Sequence, residues 1–183
     1  MRVQDNSLRS YFIKIESIFN QINDEMYVPE HLNVFYYNTI ENVLLNPNPN
    51  PNQPWSTNNV RYGFQNSLVG LIGEYIAAVN LSSIYNTVEI ATSREDQVKN
   101  QIDLFTPIGT VQVKAIRILN GMVEFPSNWK SSKADFFSLV DIDYRYHLLI
   151  KTEELQMSTK TIFARSTLGQ MCYHSFDNRN LYG

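Results

Sequence analysis

Asp103, Gln112 and Lys114 are residue types that phosphodiester hydrolysis uses, and their spacing suits a β-hairpin. Asp103 stands between Ile102 and Leu104, while Gln112 and Lys114 alternate with Val111, Val113 and Ala115. Successive side chains of a strand point to opposite faces, so each polar residue turns away from its apolar neighbours. Strands over 102–106 and 110–118, joined by a turn at Pro107-Ile108-Gly109, bring Asp103, Gln112 and Lys114 onto one surface. The apolar residues of the opposite face hold that surface rigid.

The chemistry such a surface serves is hydrolysis at phosphorus. That reaction needs a hard cation to polarise the phosphate and acidify a water, and Mg²⁺ takes oxygen ligands. Asp103 offers a carboxylate, Gln112 a side-chain carbonyl and Val113 a backbone carbonyl. Lys114 can orient the attacking water or stabilise charge building on the phosphate. Glu74, in Gly73-Glu74-Tyr75, supplies a second carboxylate. It lies amid Leu68, Val69, Leu71, Ile72, Ile76 and Ala77, and a carboxylate in so apolar a helix needs solvent or a partner. Plainer readings stand beside these. Asp103 and Lys114 could be a cross-strand ion pair, Gln112 a polar residue on an exposed strand face, and Glu74 the partner of an arginine such as Arg61. A second Gln-Val-Lys, at 97–99, has polar flanks and reads as loop.

Three helices and a series of strands must position these groups. Leu8, Tyr11, Phe12, Ile15, Ile18, Phe19 and Ile22 recur at helical spacing and predict a helix over 8–22. A second covers 30–45, with Pro29 at its start. The Asn/Pro alternation from Asn46 to Pro54 removes backbone donors and predicts a stiff extended connector. The most apolar helix spans 64–81, followed by a strand at 87–91 and a polar loop at 92–101. After the hairpin come a short strand near 122–125, a hairpin of 136–142 with 146–151, and a strand near 161–164. The tail from 166 shows no clear period. This order predicts an α/β fold, a mixed β-sheet flanked by helices with an N-terminal helical extension.

The succession of motifs resembles the PD-(D/E)XK nuclease superfamily. Gly73-Glu74-Tyr75 in an apolar helix precedes a strand, then Ile102-Asp103-Leu104, then Val111-Gln112-Val113-Lys114. The resemblance is to the branch with Gln in place of the usual acid, found in some intron-encoded homing endonucleases and related phage and bacterial proteins. It continues through Trp129-Lys130, Ala134-Asp135-Phe136-Phe137-Ser138-Leu139-Val140 and Tyr146-His147-Leu148-Leu149-Ile150, and covers about 60–151. Ile102 stands where the superfamily's proline would, and Gln112 is neutral. The resemblance implies a restriction-endonuclease-like sheet and a catalytic set of Glu74, Asp103, Gln112 and Lys114. It also implies Mg²⁺, with Mn²⁺ as a substitute, held by Glu74, Asp103, Gln112 and Val113.

Composition bounds the rest. The 183 residues are 43% apolar and 18% charged, an ordinary globular balance. The net charge of -3 counts mildly against a purely electrostatic nucleic-acid binder. Positive charge nonetheless gathers beside the hairpin. Lys114, Arg117, Lys130 and Lys133 outweigh Glu124, which nominates Arg117, Lys130 and Lys133 as DNA contacts. Residues 1–60 are net acidic, so that segment is expected to pack as a cap or to dimerise rather than to read DNA. One cysteine, Cys172, excludes an internal disulfide and Cys-based zinc sites and suits a small buried side chain. No apolar run nears the roughly 20 residues of a bilayer span, and the N-terminus lacks a signal-peptide pattern. A cytoplasmic protein without membrane contact is expected.

Four regions follow: a helical extension, cap or dimerisation subdomain over 1–45, a linker over 46–59, a nuclease-like core over 60–165 and a tail over 166–183. The expected function is a Mg²⁺-dependent DNA endonuclease, acting on double-stranded DNA as a homodimer. Two alternatives remain: a catalytically inactive nucleic-acid-binding member of the same fold, and a non-enzymatic phage or virion interaction protein.

Overall fold

The structure is a computed structural model describing residues 6–45, 58–116, 118–119, 121–125, 129–141, 146–157 and 162–177. Three helices come first: α1 (Asn6–Glu25), α2 (Glu30–Leu45) and α3 (Asn58–Ser82). The Pro29 carbonyl accepts the Leu32 and Asn33 N–H groups at 3.0 and 3.1 Å and starts α2. The connector over 46–57 lies outside the described residues. From Leu68 to Leu81 the side chains of α3 are buried or half-buried on every side. A helix apolar all round must be covered all round, and α3 is, by the sheet beneath and α1 and α2 above.

The main sheet runs β1-β2-β3-β6-β7-β9, where β1 is Glu89–Ile90, β2 Leu104–Thr106, β3 Gly109–Ile116, β6 Phe136–Asp141, β7 Tyr146–Lys151 and β9 Cys172–Asp177. Every neighbouring pair is antiparallel except β3 with β6. The crossover between those two carries β4 (Ile118–Leu119) and β5 (Met122–Glu124), which with β8 (Ile162–Ala164) form a small second sheet. Two short helices, α4 (Thr152–Gln156) and α5 (Arg165–Gln170), complete the chain.

Alternation along the central strands divides the core in two. Val111, Val113, Phe136, Val140 and Leu149 face the helices and pack with Ile22, Leu32, Ile72 and Ile76. Phe137, Leu139, Leu148 and Ile150 face the opposite side with Phe125, Trp129, Phe163 and Leu168. Tyr75 ties the three helices together. Its ring stacks on Phe19 at 4.1 Å and meets Tyr36 edge-on at 5.5 Å. The N-terminal helices thus share the core of the sheet domain rather than standing apart from it.

Two expectations need correction. The segment read as loop over 92–101 contains a helical turn, Glu95–Asn100, with Glu95 salt-bridged to Lys99 at 3.2 Å. The stretch from 166 is not a tail: it holds α5 and β9, and β9 pairs with β7. His147, on β7, is wholly buried against α3, β6 and β9. Asn80 donates its amide to Nδ1 at 3.0 Å, so the single proton of the neutral ring sits on Nε2 and faces Ser138 Oγ. Burial pushes the His147 pKa down to about 3, with His174 adding to the effect. Among the described residues no helix is long and apolar enough to cross a membrane.

Candidate active site

The hairpin forms as its sequence dictates. Gly109, at φ +138°, closes the turn, and the register sets Leu104 opposite Val111. Asp135 fastens the turn to β6, since its Oδ2 accepts the Thr110 N–H and Oγ1–H, each at 2.8 Å. The ladder between β2 and β3 ends with Asp103, whose N–H donates to the Val111 carbonyl at 2.9 Å. Asp103 falls just before the first residue of β2 and lines the same cleft as Gln112. Its Oδ2 accepts the Val113 N–H at 2.7 Å, an edge group that β2 no longer reaches. A strand residue points its N–H and C=O to the same side, so the Val113 carbonyl faces that side as well.

Glu74 arrives from above, and Gly73 is the reason it can. A β-carbon at Gly73 would stand 3.0 Å from Ala115 Cβ and 3.5 Å from its Cα. Only a residue without that atom lets α3 lie this close to β3. The result is one cleft of about 490 Å³ lined by Glu74, Asp103, Gln112, Val113 and Lys114. All five residues nominated for catalysis or metal binding are therefore brought together.

The three ionisable groups feel one another. Glu74 is pushed up to about 8 by burial and by the Asp103 charge, against the pull of Lys114. Asp103 is raised by burial although the Val113 hydrogen bond and Lys114 act to lower it. Lys114 is lowered by burial despite both carboxylates. Among the described residues the close ion pairs are Lys99–Glu95 and Lys151–Glu153, and Lys114 belongs to neither.

The donor set fits a hard divalent cation. Gln112 Oε1 is buried and has no hydrogen-bond partner among the described residues. An unmade hydrogen bond of that kind costs roughly 1–3 kcal/mol, and a cation beside two carboxylates would satisfy it. Every donor here is oxygen, as Mg²⁺ requires. Among the described residues no group of three His, Cys, Asp or Glu side chains converges; the cleft brings together two carboxylates and the Gln112 amide.

The remaining nominees behave differently. Arg117 lies outside the described residues, as does the Arg61 side chain. Lys130 is exposed and its ammonium sits 5.6 Å over the Trp129 ring. Lys133 lines a neighbouring depression of about 480 Å³ with Asp135 and Lys151, not the cleft itself. The segment carrying both lysines nonetheless borders the cleft, because the Lys133 N–H donates to the Asn100 carbonyl at 2.9 Å.

Sequence reasoning missed one wall of the cleft and a buried tyrosine that feels its carboxylates. Gln97 and Gln101 line it from the helical turn, where a run of polar residues gave no sign of a fixed structure. Tyr36 of α2 does not line the cleft but is buried, with no hydrogen-bond partner for its hydroxyl among the described residues. Burial, then the charges of Glu74 and Asp103, raise its pKa. Nothing in an apolar helical stripe distinguishes that tyrosine from its neighbours. Comparison of the chain with protein-family models, curated proteins and solved structures finds no match.

Proposed function

We propose that the chain is a Mg²⁺-dependent endonuclease that hydrolyses DNA phosphodiester bonds, with double-stranded DNA as the preferred substrate. The observation that carries this reading is the unpartnered Gln112 oxygen beside two carboxylates and an unbridged lysine in one open cleft. The order of motifs, which resembles the PD-(D/E)XK superfamily, supports it as well.

Glu74, Asp103, Gln112 Oε1 and the Val113 carbonyl would hold the cation. When bound, the ion polarises the scissile phosphate and lowers the pKa of a nearby water. Asp103 is set for its part by the Val113 N–H, which fixes one carboxylate oxygen and leaves the other to the cleft. Lys114 stands on the same strand face as Gln112 and keeps its ammonium free of a close ion pair. It can donate a hydrogen bond to the attacking water or to a phosphate oxygen as negative charge builds there. Arg117, Lys130 and Lys133 are proposed to contact flanking phosphates. Cutting both strands would call for a two-fold homodimer.

A second reading is a binding-only protein, favoured by the neutral Gln112 and the low count of acids. A non-enzymatic interaction protein, with the net charge of -3 in its favour, is the third. Incubating the purified chain with plasmid, linear duplex, single-stranded DNA and RNA, in Mg²⁺, Mn²⁺ or EDTA, separates them. Metal-dependent cutting supports the first reading, binding without cutting the second, and neither the third.

A further inference from the structure

Gln112 lines the cleft, and a hydrogen bond engages one end of its amide. Nε2 donates to Gln101 Oε1 at 3.2 Å, and Gln101 Nε2 donates to Ser131 Oγ at 2.7 Å. With Nε2 engaged, Oε1 is the end left buried and unpartnered among the described residues. A carboxylate at this place would need no such selection, since both its oxygens accept. An amide does need it: turned over, it would present an N–H to the position a cation would take.

Gln101 is set apart by its backbone too. It is the only non-glycine residue at positive φ among the described residues, at φ 55° and ψ 51°. A left-handed backbone is costly for a residue with a β-carbon, and strain of this kind gathers at functional sites. The conformation is anchored on both sides. The Ile102 N–H donates to the Asp96 carbonyl at 2.9 Å, and Ser132 Oγ donates to the Gln101 carbonyl at 3.3 Å. Glycine would adopt this backbone more cheaply, but it would lack the side chain that bonds Gln112 and Ser131.

We propose that Gln101 is a positioning residue for the cation site, selecting the orientation in which the Gln112 amide offers its oxygen. This rests on the cation-binding role proposed for the cleft. Gln101 and Gln112 then form a matched pair, in which the neutral residue at 112 works only because the residue at 101 accepts from its Nε2.

Mn²⁺ binding to the whole chain, measured by isothermal titration calorimetry beside the thermal midpoint, tests the pairing. Gln101→Gly is expected to weaken Mn²⁺ binding by about ten-fold or more, the usual effect of removing a group that orients a ligand. Its midpoint should stay within about 2 °C of the unsubstituted chain, because relief of strain offsets the lost hydrogen bonds. Gln101→Met, which keeps side-chain bulk, should weaken binding similarly. In a Gln112→Glu background, Gln101→Gly should have no effect, since a carboxylate needs no orienting. Unchanged binding in both single variants would overturn the proposal. So would an equal loss in the Gln112→Glu background, which would mean that the cleft had merely loosened. If the unsubstituted chain binds Mn²⁺ no better than Asp103→Ala, the cation reading itself fails, and this proposal with it.

Discussion

Lys114 shares its cleft with two carboxylates, yet burial holds all three groups away from their ordinary ionisation. Such an arrangement is costly to fold and useful to chemistry, and Glu74 makes the cost measurable. Its pKa in the fold, about 8, lies above its ordinary value of 4.5. In the metal-free protein the unfolded chain therefore releases this proton first as pH rises past 4.5, and stability declines until about pH 8. Glu74→Gln should raise the thermal midpoint of metal-free protein at pH 8, leave it nearly unchanged at pH 4, and abolish metal-dependent cutting. A midpoint lowered at pH 8 would show that the carboxylate is satisfied rather than strained. Asp103, Gln112 and Lys114 were legible at this scale because strand alternation alone sorts them from Val111, Val113 and Ala115. Gln101 was not legible, since its role depends on a left-handed backbone and on Ser131, which is distant in sequence.

Gly73 shows how an element sets a site. The helix approaches β3 closely enough that an added β-carbon meets Ala115 at 3.0 Å, with backbone just behind it. Gly73→Ala should cost about 1–3 kcal/mol, as overpacking does, and should cut activity further by lifting Glu74 from the cleft. Gly70 lies one turn earlier with nothing within 4 Å of its β-carbon position. Gly70→Ala should stabilise α3 by up to about 1 kcal/mol. Chemical denaturation of both variants checks the contrast, and equal effects would contradict the close approach. Helix α1 was legible from the period of its one apolar face, α3 from an apolar run too long for a strand, and the first hairpin from strand alternation around a Pro-Ile-Gly turn. The turn at Glu95–Asn100 has no buried residue, so no period marked it. Strand β9 was hidden for a different reason. Its pairing with β7 slips between Leu149 and Ile150, and the slip breaks the alternation that announces a strand.

At the scale of the molecule, the sheet joins parts that the sequence seemed to separate. Leu149 and Phe176 belong to the same core as Ile22 and Leu32, so neither the first helices nor the last strand is an appendage. A chain ending at residue 165 should lose the edge strand over β7 and express as insoluble or unfolded protein, as circular dichroism would show. A soluble, cooperatively folding truncation would contradict the shared core. The buried Asn80–His147–Ser138 network gives the whole fold an acid limit. His147 is held near 3 in the fold against about 6.5 in an unfolded chain. Above pH 6.5 the ring is neutral in both states and has no pH effect. Below that only the unfolded chain takes up the proton, and stability falls by about 1.4 kcal/mol per pH unit toward pH 3. Glu74 acts in the opposite sense over this range, so the slope is read in a Glu74→Gln background: denaturant titrations between pH 7 and pH 4 should show it there, reduced by about the same amount when His147→Gln is added. An equal slope in both would place the acid sensitivity elsewhere.

The central claim is that the cleft between α3 and β3 cuts DNA, and plasmid cleavage tests it most directly. Supercoiled plasmid is incubated with the chain in Mg²⁺ or EDTA, beside folded Asp103→Ala and Lys114→Ala. Cutting is expected only with Mg²⁺, absent in Asp103→Ala and slowed by about 100-fold or more in Lys114→Ala. Failure of the unsubstituted chain to cut any substrate, or cutting that survives both substitutions, would contradict the account.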